Sequence, residues 1–445
     1  MRKILFTLLS ALVLSACHKD KAAPLQPVDI AVSLQLSADN SVSIPYKGAV
    51  VTLTNATNNN KYKDSISTDT NTVFFQKMIP GTYNVSVELK LSPEAYLAAT
   101  GQKVAGSVIY TGTLTAAAVS PENNLKVDIK TGGGSDSWVI KQIYYAGSDT
   151  KDGALFRDQF FEIYNNSDHV LYADSLYFAQ VEGVSTASSS LDLSKGYYLK
   201  ATGQWDWSLS AGNTVANANT DYVYSSMIFR IPGNGSTYPV QPGKSLIIAQ
   251  TAINHKVPFT DINGKEVGVR NPDLTVDLSK ADFDVYMGNF PGTNPLASDL
   301  NTSTTHVTVI ANPNRDLILD NLGREGLIIF KTTADIKSTW KLLQTPDNNP
   351  KDTRLYFQIP KAGAQIFDAV EMQPTDIAKH TPKRLPADLD AGFAYVPNGA
   401  YSSQAILRKT QNKVDGRIVL QDTNNSILDF VVIKADPSKN AFTSK

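Results

Sequence analysis

The feature that most restricts the fold of this chain is an alternation of apolar and polar residues with a period of two. It runs through Val28–Leu36, residues 49–53, residues 68–75 and residues 79–87. Successive side chains of a strand point to opposite faces, so each run predicts a strand with one buried face. The 19 Tyr and 17 Phe residues accompany many Thr and Val, and these residue types favour pleated surfaces. The pattern predicts an all-β chain.

The N-terminus carries a lipoprotein signal. Arg2 and Lys3 precede an apolar run over residues 4–13, which is too short to remain as a membrane-spanning anchor, and the sequence Leu-Ser-Ala-Cys then ends at Cys17. Small residues before the cysteine admit a signal peptidase, so we predict removal of residues 1–16 and lipidation of Cys17. Cys17 is the only cysteine and therefore lacks a disulfide partner. The alternative for Cys17 is a buried structural thiol.

Composition and low-complexity segments divide the remainder of the chain. Apolar residues make up 42% and charged residues 19%, as in an ordered globular protein, and no second apolar run reaches membrane-spanning length. We predict a lipidated tether over residues 17–27, a domain over 28–130, a Gly/Ser linker over 131–137 and a second domain over 138–445. The formal net charge of −1 gives no basic footprint for nucleic acid.

Residues 28–130 resemble the transthyretin-like sandwiches that also include carboxypeptidase-regulatory and collagen-adhesin B-type domains. The resemblance rests on the run Gly-Ala-Val-Val-Thr-Leu over residues 48–53 and on the Pro-Gly-Thr-Tyr turn over residues 80–83. It implies a small antiparallel β-sandwich as the first domain.

Residues 138–445 resemble the lamin-tail family of immunoglobulin-like domains. An opening strand over residues 138–145 is followed by Phe-Glu-Ile-Tyr-Asn over residues 161–165. Later marks of that family occur in the expected order, at residues 242–249, 320–330, 367–371, 405–409 and 422–430. These marks span far more residues than a single sandwich needs, so we predict long insertions at about 183–240, 255–316 and 331–365, where function is usually located.

The resemblances together imply two tandem immunoglobulin-like β-sandwiches, the second with insertions. A lipoprotein signal followed by these two domains is similar to a family of Bacteroidota surface lipoproteins of unknown function, whose members accompany TonB-dependent outer-membrane receptors. The charged residues 18–21 resemble tags that direct such lipoproteins to the outer face of the outer membrane. The resemblance therefore implies an outer-membrane, surface-exposed protein with a TonB-dependent receptor as a partner.

The sequence contains no coherent catalytic or metal-binding motif. Its histidines are scattered without ligand spacing, at His18, His169, His255, His306 and His380. The closest string to a nucleophile elbow, at residues 233–237, has the wrong spacing. We therefore predict no enzyme activity, no catalytic residue, no metal and no cofactor.

One cluster is a candidate for ligand binding. Trp205, Asp206 and Trp207 lie within the first predicted insertion and follow Tyr197 and Tyr198. Strand alternation would place both indoles on one side, where a sugar face can stack on a ring while the carboxylate accepts hydroxyl hydrogen bonds. The alternative is that both indoles fill the core of the insertion. A polar loop over residues 347–352 is either a site for a hard cation or a solvated loop.

Two functions from different classes follow. The first is a non-catalytic lipoprotein that captures a nutrient, such as a glycan, or docks on a TonB-dependent receptor. The second is a structural or adhesive module that binds another protein or an extracellular polymer. A hydrolase is a third hypothesis, which the missing motifs disfavour.

Overall fold

The computed structural model describes residues 26–36, 43–100, 108–121, 124–131, 137–361, 363–414 and 416–444. The predicted signal and Cys17 lie outside the described residues. The strands of the N-terminal part are β1 (Val28–Leu36), β2 (Val50–Asn55), β3 (Lys61–Ser65), β4 (Thr72–Met78), β5 (Gly81–Leu91), β6 (Val108–Val119) and β7 (Leu125–Thr131). A helix, α1 (Pro93–Thr100), connects β5 to β6.

The seven N-terminal strands form one sheet in the order β3-β2-β5-β6-β7-β1-β4. Neighbouring strands of this sheet pair antiparallel except β1 and β7, which are parallel and align Leu34 with Val127. Ile30, Val32 and Leu34 are at most 2% exposed, as the alternation in β1 predicts. They belong to a core of buried apolar residues that also includes residues of β2, β4, β5, β6 and β7.

The remaining chain is also dominated by strands. From residue 138 to residue 311 they are β8 (Trp138–Tyr144), β9 (Phe160–Asn165), β10 (Leu171–Tyr172), β11 (Tyr177–Val181), β12 (Tyr222–Ser225), β13 (Met227–Arg230), β14 (Pro239–Val240), β15 (Ser245–Ala249), β16 (Phe259–Thr260), β17 (Glu266–Val267), β18 (Phe283–Asp284), β19 (Thr305–His306) and β20 (Thr308–Ala311). From residue 326 onward they are β21 (Gly326–Lys331), β22 (Leu342–Leu343), β23 (Tyr356–Pro360), β24 (Gln365–Glu371), β25 (Gln404–Arg408), β26 (Thr410–Val414), β27 (Arg417–Leu420) and β28 (Phe430–Lys434). Helical segments are short: α2 (Ile336–Thr339), α3 (Ser426–Asp429) and 3-10 turns at Ser188–Ser190, Trp207–Leu209, Pro272–Leu274 and Ile377–Lys379.

Two large sheets of this part face each other across one core. One has the order β20-β13-β11-β21-β24, and the other has the order β19-β18-β15-β9-β8-β25-β28. Phe178 and Phe229 of the first sheet stack at 4.9 Å between ring centroids, and Phe161 of the second meets Phe178 edge-on at 4.9 Å. Two sheets that share one apolar interior are a β-sandwich, so the predicted all-β sandwich fold is confirmed.

A third layer covers the outer face of the five-stranded sheet. It consists of the small sheet β12-β23-β22 and α2. Phe330, which points outward from β21, packs in a separate core with Trp340 and Ile359 of this layer. Because β11 is therefore covered on both faces, all five of its residues are buried.

The segments predicted as insertions contribute strands to this architecture. Residues 183–240 supply β12 of the third layer and β13 of the five-stranded sheet, and residues 255–316 supply β18, β19 and β20 of the two large sheets. Residues 331–365 supply β22 and β23 of the third layer. These segments are thus built into the sandwich and its cover, and the predicted domain boundaries stay a prediction.

Candidate functional site

The predicted ligand-binding residues lie in the third layer, on a short hairpin. Tyr198 and Trp205 form an isolated antiparallel bridge. The Leu199 N–H donates to the Gln204 carbonyl at 2.8 Å, and the Asp206 N–H donates to the Tyr197 carbonyl at 2.9 Å. These bonds close the hairpin and bring the two tyrosines beside the Trp-Asp-Trp sequence.

Trp207 is a core residue of this layer. Its ring stacks on Tyr224 at 3.7 Å with an interplanar angle of 6°, and only 5% of the residue is exposed. Tyr356 meets the same ring edge-on at 5.6 Å. Trp207 begins a 3-10 turn and does not continue a strand, so the predicted strand alternation of the two indoles is wrong. For Trp207 the structure favours the alternative, a packing role.

Trp205 and the two tyrosines form the outer surface of the hairpin. Trp205 is partly exposed, and its ring meets Trp207 edge-on at 5.5 Å. Tyr197 and Tyr198 are also partly exposed and contact each other at 4.7 Å. Burial is the largest influence that raises the pKa of Tyr198, followed by the nearby Tyr197 and Asp347. We call Tyr197, Tyr198 and Trp205 the aromatic surface.

Side-chain hydrogen bonds hold this surface in one conformation. Asn219 accepts from the Trp207 N–H at 3.0 Å and donates to the Trp205 carbonyl at 2.8 Å, which clamps both ends of the Trp-Asp-Trp sequence. Asp206 caps the 3-10 turn, because its Oδ1 accepts from the Ser208 N–H at 3.1 Å. The structure thus gives Asp206 a structural bond in addition to its predicted ligand-binding role.

The polar loop over residues 347–352 packs against the same layer. Asn348 accepts from the Ala211 N–H at 2.7 Å and donates to the Leu209 carbonyl at 3.0 Å. Asp347 accepts from the Thr345 hydroxyl at 2.6 Å and, more weakly, from the Asn349 N–H at 3.4 Å. The two features that the sequence singled out separately are therefore neighbours, a long-range contact that neither motif alone predicts.

A small recess lies behind Trp205. Its lining includes Glu182, Gln204, Asn219, Tyr222 and Arg384, and its volume of about 20 Å³ is room for one water molecule. Burial raises the pKa of Glu182, although hydrogen bonds from Ser226 and the charge of Arg354, which lies 3.0 Å away, oppose that effect. Both oxygens of Glu182 are occupied by these partners. Glu182 is thus held by groups of its own chain.

A larger cavity of about 570 Å³ lies between the N-terminal sheet and the second domain. Its lining combines hydroxyl groups of Thr52 and Ser86 with charged side chains from both parts, among them Lys63 and Arg417. Lys90 and Asp168 approach to 3.7 Å across it. The sequence did not indicate this cavity, because its walls come from segments far apart in the chain, such as those of Lys63 and Arg417.

The histidines do not form a shared site in the described part of the chain. His255 is buried, and burial lowers its pKa to about 4. His306 bonds Asp284 at 2.5 Å, His169 lies 3.1 Å from its neighbour Asp168, and His380 packs against Phe393. Within the described ranges, no three His, Cys, Asp or Glu side chains are grouped as a metal site.

The N-terminal signal agrees with a known sequence pattern. Residues 1–17 match the prokaryotic membrane lipoprotein lipid attachment site, which ends at the predicted Cys17. The chain is therefore a membrane-anchored lipoprotein. Among the described residues, no helix has the length and apolar character that crossing a membrane requires.

The rest of the chain is similar to proteins without an assigned function. No curated protein matches. A crystal structure of a DUF4876 family protein from Bacteroides thetaiotaomicron is 25% identical, covers 93% of this chain and 97% of its own, and superposes with a TM-score of 0.53. Residues 241–438 match the family described as "Protein of unknown function (DUF4876)", so this lipoprotein carries the sequence pattern of that family over those residues.

Proposed function

We propose that this protein is a non-catalytic lipoprotein of the outer membrane, exposed at the cell surface, that captures a ligand for a TonB-dependent uptake system. The lipid attachment site supports the anchor. The observation that carries the binding role is the aromatic surface, which is partly exposed and rests on the buried Trp207–Tyr224 stack. A ligand that docks there meets rings that are already ordered, so binding costs little conformational entropy.

The chemistry of the aromatic surface favours a glycan. Apolar faces of a sugar stack on aromatic rings, while its hydroxyl groups need acceptors close to those rings. Asp206 and Asp347 flank the surface, and within the described residues the Oδ2 atom of each has no hydrogen bond. Each carboxylate thus keeps one free acceptor oxygen beside the rings.

The same geometry supports the non-catalytic part of the proposal. The recess behind Trp205 has room for a water molecule and not for a sugar ring, and Glu182 within it is fully hydrogen-bonded. A glycosidase needs two carboxyl groups that reach both sides of a scissile bond. Asp206 and Asp347 instead lie at the edge of an open surface and cap turns of their own chain.

We further propose that the two sandwiches belong to the types that their sequences resemble, transthyretin-like for residues 28–130 and lamin-tail-like for residues 138–445. The first is supported by strands of mixed pairing around one core, and the second by a sandwich whose opening strands β8 and β9 pair in the centre of a sheet. The third layer is then the addition that carries the candidate site.

The binding role is tested with the soluble mature chain, produced without its lipid anchor and screened on a glycan array, followed by calorimetry with any hit. Trp205→Ala should weaken binding at least tenfold because it removes the exposed indole, and it should leave most of the folded stability. Leu209→Ala is the matched control, since Leu209 lies in the same layer, is 47% exposed and is not aromatic. Equal affinity of Trp205→Ala and the parent protein would refute this site.

The importer role needs the native membrane. We would extract the C-terminally tagged lipoprotein from its host with mild detergent and identify the proteins that co-purify. Recovery of a TonB-dependent receptor in near-equal amount would support the proposal. Recovery of the lipoprotein alone, together with an array that shows no binding, would favour the structural or adhesive module instead.

A further inference from the structure

Three buried aspartates lie in or beside the strands β18, β19 and β20, and their charges influence one another. Asp284 belongs to β18, and Asp299 and Asp316 lie in the loops that flank β19 and β20. All three are 0% exposed. A buried carboxylate is costly unless an opposite charge or several hydrogen bonds compensate for it.

Asp284 is compensated by its own neighbours. Its Oδ1 is 2.5 Å from His306 Nδ1, and its Oδ2 accepts from the Thr302 hydroxyl at 2.7 Å. The Ala252 N–H adds a third bond at 3.2 Å. Both oxygens of Asp284 are therefore occupied by groups of its own chain.

Asp299 and Asp316 lack such compensation. Asp299 Oδ2 accepts from the Met287 N–H at 2.9 Å, and Asp316 accepts from the Leu317 N–H and from Gln250 Nε2, both at 2.7 Å. No Lys or Arg forms an ion pair with either carboxylate in the described part of the chain. Burial raises the pKa of Asp299 to about 7, against the opposing backbone hydrogen bonds from Met287 and Gly288. Burial, and next to it the charge of Asp299, raises the pKa of Asp316.

The second observation is a pair of buried oxygens without a donor. Asp299 Oδ1 has no hydrogen-bond partner, and neither has Gln250 Oε1, although both residues are 0% exposed. Gln250 donates from its amide nitrogen to Asp316, so the carboxamide lies beside that carboxylate, and its oxygen has no donor. An amide oxygen does not ionise, so its lack of a partner does not depend on the protonation of the two acids. It indicates a missing donor or cation beside Gln250.

We propose that Asp299, Asp316 and Gln250 bind a calcium ion. Two carboxylates and an amide oxygen are the hard oxygen donors that Ca²⁺ takes, and a divalent ion would neutralise both charges and satisfy both unpartnered oxygens. A bound water would supply donors but no charge. The set has two acidic ligands and one amide ligand. It would also overturn the metal-free prediction from the sequence, and it is independent of the proposed ligand-capture function.

The test uses the full mature chain without its lipid. After dialysis against excess CaCl₂ and desalting, the chain should retain about one calcium per molecule by elemental analysis, and its melting temperature should exceed that in EGTA by about 5 °C. Asp299→Asn and Asp316→Asn should each abolish the calcium-dependent shift. Asp174→Asn is the matched control, because Asp174 is also buried but bonds backbone N–H groups near residue 237; it should keep the calcium-dependent shift.

The measurement on the unmutated chain decides the proposal even where a variant fails to fold. A calcium content near zero, with the same melting temperature in CaCl₂ and in EGTA, would overturn it. A melting temperature that rises as pH falls from 8 to 6 but does not change with calcium would also overturn it. A proton, and not a calcium ion, would then neutralise the two carboxylates.

Discussion

Arg408 lies in a buried group with three carboxylates, so negative charge exceeds positive charge in this group. The excess predicts how the stability of the protein depends on pH. The guanidinium contacts Asp368, lies 3.3 Å from Asp422 and lies 3.6 Å from Asp429. One positive charge cannot neutralise three negative ones. Burial, and next to it the charge of Asp368, raises the pKa of Asp422 to about 7. Its Oδ2 has no hydrogen-bond partner, so Asp422 is the member that benefits least from being ionised.

The sign and size of the effect follow from linkage. The folded-state pKa of Asp422 lies above its ordinary value of 3.8, so the folded state binds this proton more tightly and the free energy of unfolding falls as pH rises from about 4 to 7. Each pKa unit corresponds to about 1.4 kcal/mol. Because the three carboxylates share the guanidinium, we expect ionisation of Asp422 to lower the free energy of unfolding by roughly 2–4 kcal/mol at pH 8.

Asp422→Asn keeps the shape of the side chain and removes the charge, and the new amide can donate toward Asp368. We expect the variant to be more stable than the parent protein by an amount that grows from pH 5 to pH 8. Urea unfolding monitored by Trp fluorescence reports on the part of the chain that contains Asp422, since all four Trp residues lie beyond residue 137. Asp376→Asn, at an exposed turn cap, is the control and should leave the pH profile unchanged. A variant that is less stable at pH 8, or a difference independent of pH, would refute the reasoning.

Three further predictions address the anchor, a buried cap and the site. Cys17→Ser should move the protein from the membrane fraction to the soluble fraction, as measured by fractionation and immunoblotting; retention in the membrane would argue against the lipid anchor. Burial alone would raise the pKa of Asp174, but hydrogen bonds from the backbone N–H groups of Tyr238 and Thr237 outweigh burial and hold the pKa at about 2. Asp174→Asn should therefore lower the free energy of unfolding by about 1–2 kcal/mol at pH 7, and by less as pH falls through 4 to 2. A loss of stability that stays constant with pH in urea unfolding would contradict this. Trp207→Ala should lower the free energy of unfolding by about 3–5 kcal/mol because it empties the stack on Tyr224, and a loss below 1 kcal/mol would show that Trp207 is not a core residue.

Local patterns in the sequence predict much of the sandwich. Alternation in β1 identifies Val28–Leu36 with its buried residues, because strand periodicity depends only on neighbours in the chain. It does not reveal when a strand is covered on both faces. In β8 two adjacent polar residues, Lys141 and Gln142, interrupt an apolar run, yet all seven residues are buried, since the segment after residue 435 covers these two side chains.

Contacts with this C-terminal segment explain why the polar residues of β8 are buried. Lys141 is 3.0 Å from Glu162 across the strand pair and donates to the Lys439 carbonyl at 2.8 Å, and Phe442 lies over its ammonium group at 3.8 Å from the ring centroid. Lys439 and Phe442 are about 300 residues away from Lys141 in sequence. A buried ion pair of this kind is specified by tertiary contacts, which a single-sequence pattern does not contain.

The same limit decides which part of the candidate site is accessible. The spacing of Trp205 and Trp207 predicts that the rings lie close together, and they do, at 5.5 Å. Their exposure differs because Tyr356, some 150 residues further along, completes the core around Trp207 and leaves Trp205 at its edge. Replacing both indoles at once would therefore combine a loss of folding with a loss of contact surface. Replacing Trp205 alone separates the two, and this makes the ligand-capture hypothesis testable on a folded protein.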